Sequence, residues 1–479
     1  MTAMQPGDES AAIAMCAEGA VLTEVGDVGG AIARYRAAAA AAPSLLALHL
    51  ILANAERLAG DVLAARATLR HALRVAERAD ALAEFELGRA LVEAGAGADA
   101  VASFRRVRAE FPHDPAAAAA LATALREAQR PDEAWLQVRH ALALAPRDAA
   151  AMATAAMIRH DLADFTGALE WCNRSLALRP ESAAPRVTRG SLRHLLGDTA
   201  GGWEDFEARA LPVPPTGAAL WDGGSLEGKS ILVIGEQGVG DQFQFLRFVR
   251  HPALQRARRV LVSCQPDAVS LVRAAGIEAV ARGSEEATDV YIPMLSLPLR
   301  LRAHTAADLS DGGTPYLMPH GVVRRVGAPL RRVGVVWAGN PAHRNDAVRS
   351  IPASLLHPLL HNHHAVQFVC MQRDAPEGVM APGRPETSAQ GDWLATALQL
   401  CTLDLLITVD TGIAHLAGAL GVPVWLLLPH VPDWRWGASG STTPWYASAR
   451  LFRQPERGDW ARLLTNVSAA LSAAGLSDD

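Results

Sequence analysis

The sequence predicts a helical solenoid followed by two parallel α/β halves. Three observations carry this. A small residue recurs at Ala31, Ala65, Ala100, Ala134, Ala168 and Gly202, with spacings of 34, 35, 34, 34 and 34 residues. Beyond residue 212 the texture changes to short apolar runs alternating with helical segments, the pattern of a parallel sheet. A stretch rich in proline and glycine between Pro315 and Pro329 then divides the apolar runs into two sets.

The repeated part comes first. Four residues after each small position stands an apolar group, Tyr35, Leu69, Phe104, Val138, Cys172 and Phe206, one helical turn further along. Pro43, Pro112, Pro146 and Pro180 close four of the repeats, because proline cannot continue a helix. A 34-residue period with a small residue where two helices cross resembles the tetratricopeptide repeat. Six repeats are readable over residues 1–211, the second without its proline. Such arrays commonly hold a peptide or protein on their concave face; the alternative is that the array only supports the second part or a dimer interface. Alanine runs such as 37–42 and 116–120 offer tight packing but few side chains for recognition.

Leu211-Pro-Val-Pro-Pro215 breaks the helical pattern and Trp221 to Lys229 is turn-rich, so residues 212–229 read as a linker. The expected strands are 230–235, 260–263, 290–292, 333–337, 366–371, 405–409 and 423–428. They form two Rossmann-like halves, 230–325 and 326–479, with a cleft between them.

Composition narrows the function. The chain has 479 residues, half of them hydrophobic, and a formal charge of −5. The imbalance lies before residue 212, where 22 arginines face 27 acidic residues; afterwards 23 basic residues face 23 acidic ones. No basic stripe points to nucleic acid. Lys229 is the sole lysine, so a phosphate would be neutralised by arginine, histidine or a metal. The five cysteines are dispersed without a C-x-x-C pair, which argues against zinc and disulfides and for a reducing compartment. With no basic apolar leader and no long apolar run, a cytoplasmic protein without a transmembrane segment is expected.

Three segments carry chemistry. After the first strand, Gly235-Glu-Gln-Gly-Val-Gly-Asp241 makes a glycine-rich turn into a helix. Asp241 and Gln242 stand where a phosphate loop needs Lys and Ser or Thr, and Phe243 stands where a dinucleotide fingerprint needs glycine. What remains is a carboxylate, Asp241, at a helix start, readable as a cap or as a catalytic group. Next, Val333 to Pro352 holds a polar loop with Asn340, His343, Arg344, Asn345 and Arg349; guanidinium forks match phosphate oxygens. Third, Asp410-Thr411-Gly412 opens a helix after an apolar strand, and such a terminus suits an anion. His415 follows one turn on. The aromatic segments Pro432-Asp-Trp-Arg-Trp436 and Pro444-Trp-Tyr446 either stack on a sugar or base or bury the domain seam.

Together, Gly235 to Phe245, Val335 to Asp346, Arg349 to Pro352, Val409 to Gly421, Pro432 to Trp436 and Arg450 to Gln454 resemble bacterial tetratricopeptide-repeat proteins whose C-terminal domain is similar to heptosyltransferases, glycosyltransferase family 9. The similarity runs from about Gly201 to Leu471. It implies a GT-B fold, with the acceptor on the first half and a nucleotide-sugar on the second. It implies Asp241 as the general base, which removes the acceptor hydroxyl's proton as the anomeric carbon is attacked. It places Asp410, Thr411, Gly412 and His415 near the donor diphosphate, and Arg349 where the family often has lysine. The candidate site is therefore catalytic Asp241 with Gly238, Gly240, Gln244, Asn340, Arg344, Arg349, Asp410, Thr411, Gly412, His415, Trp434 and Trp436 for substrate and donor.

No Asp-x-Asp occurs, so no metal or other cofactor is expected beyond the nucleotide-diphosphate sugar itself. The leading expectation is a metal-independent, inverting glycosyltransferase whose repeats bind a protein or peptide. The alternatives are a non-catalytic interaction scaffold with a degenerate glycosyltransferase domain and an enzyme like the O-linked N-acetylglucosamine transferases.

Overall fold

A computed structural model describes residues 6–75, 81–214, 217–310, 315–324, 332–341, 343, 345–373, 375 and 392–474. They fall into two compact units, Met1–Pro185 and Arg186–Asp479. Among the described residues no helix is long and apolar enough to cross a membrane.

The first unit is a tetratricopeptide-like helical solenoid. Helices begin at residues 28, 62, 97, 131 and 165, in step with the small-residue period, and alternate with helices that begin at 46, 81, 115 and 149. The predicted small positions, Ala31, Ala65, Ala100, Ala134 and Ala168, are buried, as are Tyr35, Leu69, Phe104, Val138 and Cys172 four residues on. The crossings are close enough to demand missing side chains: a Cβ on Gly88 would lie 2.7 Å from the Phe104 ring, and one on Gly19 would lie 2.6 Å from Tyr35. Aspartates restart the helices. Asp27, Asp114, Asp148 and Asp164 each accept a hydrogen bond from a backbone N–H two or three residues on, satisfying groups that a helix start leaves orphaned. The helices Val28–Ala41, Gly97–Glu110, Pro131–Leu144 and Phe165–Leu178 all stop two residues before the closing prolines.

The second unit opens within the last helical pair, Ala183–Leu195 and Thr199–Phe206. Although the sequence texture changes at residue 212, the compact unit begins at Arg186, because this pair packs on the α/β part. Trp203 lies 5.8 Å from Phe245 and 5.6 Å from Trp434, ring centre to ring centre, and Arg209 pairs with Glu236 at 2.8 Å.

Two five-stranded sheets follow, parallel throughout. The first is built of β1 (Ala219–Leu220), β2 (Ser230–Ile234), β3 (Arg259–Cys264), β4 (Ala279–Ala281) and β5 (Val290–Pro293), in the order β1-β5-β2-β3-β4. The second is built of β6 (Arg332–Val336), β7 (Gln367–Cys370), β8 (Leu405–Val409), β9 (Val424–Leu428) and β10 (Ala449–Arg453), in the order β10-β9-β8-β6-β7. The strands β2, β8 and β9 are buried along their whole length, as expected for continuous apolar runs covered on both faces.

Three strands go beyond the sequence reading. β1 and β4 have only two and three residues, too few to show a pattern, and β10 is an edge strand whose arginines mask its alternation. In each sheet the chain winds one way and then the other. The reversal lies between β2 and β5 in the first half and between β6 and β8 in the second, and such points open a crevice beyond the strands' carboxyl ends.

The described part of the connection, residues 315–324, is held by both halves. The Tyr316 and Leu317 N–H groups donate to the Ala419 carbonyl, and the Tyr316 hydroxyl donates to the Phe243 carbonyl at 2.9 Å.

Candidate functional site

All three chemistry-bearing segments lie at the two reversal points. Gly235 leaves β2 under the β3 backbone, its N–H donating to the Ser263 carbonyl at 2.7 Å; a Cβ there would sit 2.8 Å from that oxygen. Gln237 takes a left-handed φ of +57°, uncommon outside glycine, and the helix Val239–Phe245 follows. Asp241 occupies its third position. One carboxylate oxygen accepts the Gly238 N–H at 2.9 Å, and the other accepts from the Arg435 guanidinium. The capping reading therefore holds, and it leaves the carboxylate's second oxygen facing the other half.

On the second half, β6 runs into a loop whose backbone is fixed by side chains. Trp337 and Ala338 donate to the Gln372 side-chain oxygen, and Gly339 donates to Ser350, which in turn donates to Asp346. A Cβ on Gly339 would meet the Arg349 guanidinium at 2.6 Å, so this glycine makes room for that side chain. Arg349 also faces Asp346 at 3.5 Å. The exposed Asn340 accepts the His343 N–H at 2.9 Å through its carbonyl. Arg344 lies outside the described residues.

Thr411 opens the helix Gly412–Ala419 without capping it by its side chain; its hydroxyl turns back to the Val409 carbonyl at 3.2 Å. The two glycine-bearing helix starts meet here. A Cβ on Gly240 would lie 3.0 Å from the Gly412 Cα and 2.9 Å from the His415 ring. The sequence places these segments 172 residues apart, and the fold sets them backbone to backbone.

Burial and like charges shape the electrostatics. Burial pushes the Asp410 carboxyl up to about 6, with the Asp433 charge adding to it, while Arg435 and Arg349 pull the other way. Burial also raises Asp241 above the usual carboxylate range, Arg435 opposing it. His415, which is 5 % exposed, is pushed down to about 3 by burial and then by Arg435, so it is neutral at neutral pH. Its Nδ1 is 3.0 Å from the Tyr446 hydroxyl, and its ring stacks 5.2 Å from Trp436. Burial acts against Asp433 too, but the Arg435 charge and hydrogen bonds outweigh it and hold that carboxyl low.

The aromatic segment resolves in favour of the seam. Trp434 packs on His194 and Trp203 of the last helical pair, at 4.8 and 5.6 Å, and Trp436 is 2 % exposed against His415 and Tyr446. Trp436 therefore offers no open face for a sugar, a correction to its place among the donor-binding candidates, whereas the partly buried Trp434 has the Arg435 guanidinium 4.2 Å over its ring. Gln244 is likewise fully buried; its side-chain oxygen accepts from Arg435 at 2.9 Å, so it supports the site from beneath.

Two groups at the centre, Arg435 and Asp433, were missed by the sequence reading. The signal was present in Trp434-Arg435-Trp436: in a chain with one lysine, an arginine between two tryptophans is a candidate for a buried, stacked cation.

No model of a known protein family matches the chain. It is 24 % identical over 318 residues to protein FlbA of Caulobacter vibrioides (strain ATCC 19089 / CIP 103742 / CB 15), covering 56 % of this chain and 52 % of FlbA, so it spans about half the length of that curated relative. Among solved structures it is similar to YrrB, a TPR protein with an unusual peptide-binding site, at 20 % identity and a TM-score of 0.29, covering 36 % of this chain and 89 % of YrrB. A tetratricopeptide repeat protein from Parabacteroides merdae ATCC 43184 gives 16 % identity and a TM-score of 0.34, with 41 % and 78 % covered. The 41-end form of MamA from Desulfovibrio magneticus RS-1 gives 16 % and 0.30, with 38 % and 99 % covered.

Proposed function

We propose that the second unit has a GT-B architecture and is a metal-independent, inverting glycosyltransferase that uses a nucleotide-diphosphate sugar, and that the repeats bind a protein or peptide acceptor or partner. The observation that carries this reading is the close approach of the helix start at Gly240, which carries Asp241 at the reversal point of one sheet, to the helix start at Thr411-Gly412, from the reversal point of the other.

In this reading Asp241 takes the proton of an acceptor hydroxyl as its oxygen attacks the anomeric carbon. The bond from that carbon to the diphosphate breaks on the opposite face, which inverts the configuration. The uncapped N–H groups at Gly412 and the Arg349 guanidinium, which acts on Asp410, face the leaving diphosphate and stabilise its charge. A carboxylate with a raised pKa is a stronger base than one on the surface, and burial raises that of Asp241. The resemblance to tetratricopeptide proteins with a heptosyltransferase-like domain supports the same assignment. For the repeats, the support is general: stacked helical pairs present an extended concave surface that suits a peptide or protein.

A second reading has its own observation. Both oxygens of Asp241 are already engaged, by Gly238 and Arg435, as they would be in a non-catalytic scaffold. Calorimetric titration with a panel of nucleotide-diphosphate sugars separates the two. An enzyme gives saturable binding to one donor class, with slow hydrolysis of the donor; a scaffold gives neither.

A further inference from the structure

Arg435 sits on the short turn Trp434–Trp436 of the second half, and its side chain is 8 % exposed. Each of its three nitrogens serves a different acceptor. Nε donates to the Gln244 side-chain oxygen at 2.9 Å, Nη1 to Asp433 at 2.8 Å, and Nη2 to Asp241. Asp241 and Gln244 are three residues apart on one helix of the first half, so both present to the same side. The guanidinium lies 4.2 Å over the Trp434 ring, which also contacts His194, Trp203 and Phe206 of the last helical pair and Trp445 of the second half.

We propose that Arg435 is the positioning residue of this site: it fixes the orientation of the Asp241 carboxylate, ties the two halves together across the reaction centre, and is itself held in place by Trp434. The catalytic part rests on the glycosyl-transfer reading; the positioning part does not.

An exposed ion pair with these partners would contribute little. This one is different because its cation is buried among three carboxylates, Asp241, Asp433 and Asp410, whose repulsion it offsets. Lysine cannot replace it. An ammonium is a point charge, whereas the planar fork aims separate N–H groups at three acceptors and stacks on an indole at the same time. With one Asp241 oxygen held by the Gly238 N–H and the other by Arg435, the carboxylate cannot rotate away from an incoming hydroxyl. A misplacement of about 1 Å at a reacting group can cost on the order of 100-fold in rate.

The groups whose charge bears on Asp241 are Arg435, Asp433 and, from the loop after β6, His343. Removing the guanidinium leaves carboxylate repulsion and burial opposed only by backbone N–H groups, those of Gly238 and Asp241, so Asp241 holds its proton to higher pH.

The test is the carboxyl titration of Asp241 by 13C NMR in the full chain, its resonance identified by its loss in Asp241→Asn. It is followed in the parent protein, Arg435→Met, Arg435→Lys and Trp434→Ala. The expected result is an upward shift of roughly one pH unit or more in Arg435→Met, equivalent to about tenfold in the proton equilibrium. Arg435→Lys and Trp434→Ala should shift it less. The acid limb of the kcat/KM profile should move by the same amount, with kcat reduced more than donor affinity. An unchanged Asp241 midpoint in Arg435→Met overturns the proposal. Should that variant fail to fold by circular dichroism, the same criterion applies to Arg435→Lys. If no donor supports transfer in the parent protein, the glycosyl-transfer reading fails while the titration still decides the role of Arg435. Transfer with an unmoved titration sinks the role of Arg435 alone.

Discussion

The repeats and the α/β unit draw on the same arginine-rich alphabet and use it in opposite ways. In the repeats most of the paired arginines keep an exposed side chain, even where their partner, as with Glu56 and Glu84, is buried; the side chains of Arg105 and Glu133 are 53 % and 45 % exposed, and such open pairs contribute little. Stability there comes from alanine and glycine at helix crossings and from buried apolar side chains such as Leu91, Phe104, Leu121 and Leu125 that recur along the array. In the α/β unit Arg209, Arg247 and Arg435 are nearly buried, and carboxylates and histidines are buried with them. Short-range packing of small residues makes a surface; long-range burial of charge makes a site, and ties that site to pH.

The largest expected difference between the two units is therefore their response to acid. His415 is held down to about 3 from an ordinary 6.5, so its contribution is complete above pH 6.5 and is lost as the pH falls towards 3, on the order of 3–5 kcal/mol for such a shift. His194, also held down to about 3, acts in the same direction. Asp410 acts the other way: its raised value of about 6 favours the folded state at low pH and ceases to do so as the pH rises through 6. The repeats carry a milder form of the same device in His49, lowered by partial burial. Acid titration should thus unfold the α/β unit, followed by tryptophan fluorescence, before the repeats, followed by far-ultraviolet circular dichroism. Coincident transitions would break the comparison.

Phe104→Ala sharpens it from the other side. This ring is 1 % exposed and packs edge-on to Phe85 at 5.5 Å. Removing it should cost about 3–5 kcal/mol and lower the helical transition alone, leaving donor binding intact. Gly240→Ala should do the reverse by a smaller margin. The new methyl would press on the Gly412 backbone, which cannot move aside as a side chain would, so a loss of about 1–3 kcal/mol is expected in the α/β transition. Differential scanning calorimetry reads both, and a shift of the wrong transition by either variant contradicts the division of labour.

The same contrast explains what was legible in the sequence. Repetition writes each packing rule several times, so Ala100 and Phe104 announce themselves through Ala134 and Val138. The parallel strands were legible where burial on both faces made long apolar runs, as in β8 and β9, and illegible in β4, where three residues carry no pattern. The site was legible at its helix starts, because Gly240 and Gly412 have local reasons to be glycine-rich turns. Its centre was not. Arg435 owes its role to Asp241, Gln244 and Asp433, of which only Asp433 is its sequence neighbour, and an ion pair between elements nearly 200 residues apart leaves no periodic trace. Trp436 misled for a related reason: exposure is a property of the fold, and its ring is covered by His415 and Tyr446, which come from other segments.

In the proposed reaction Asp241 is a base set against a donor site on the other half. The most direct test of that role is Asp241→Asn, assayed in parallel for sugar transfer and for nucleotide-sugar affinity. The amide preserves size and an acceptor oxygen but cannot take a proton. The expected result is a fall in transfer of about 100- to 10,000-fold with donor affinity within a few-fold of the parent protein. Undiminished transfer in that variant would rule out Asp241 as the base.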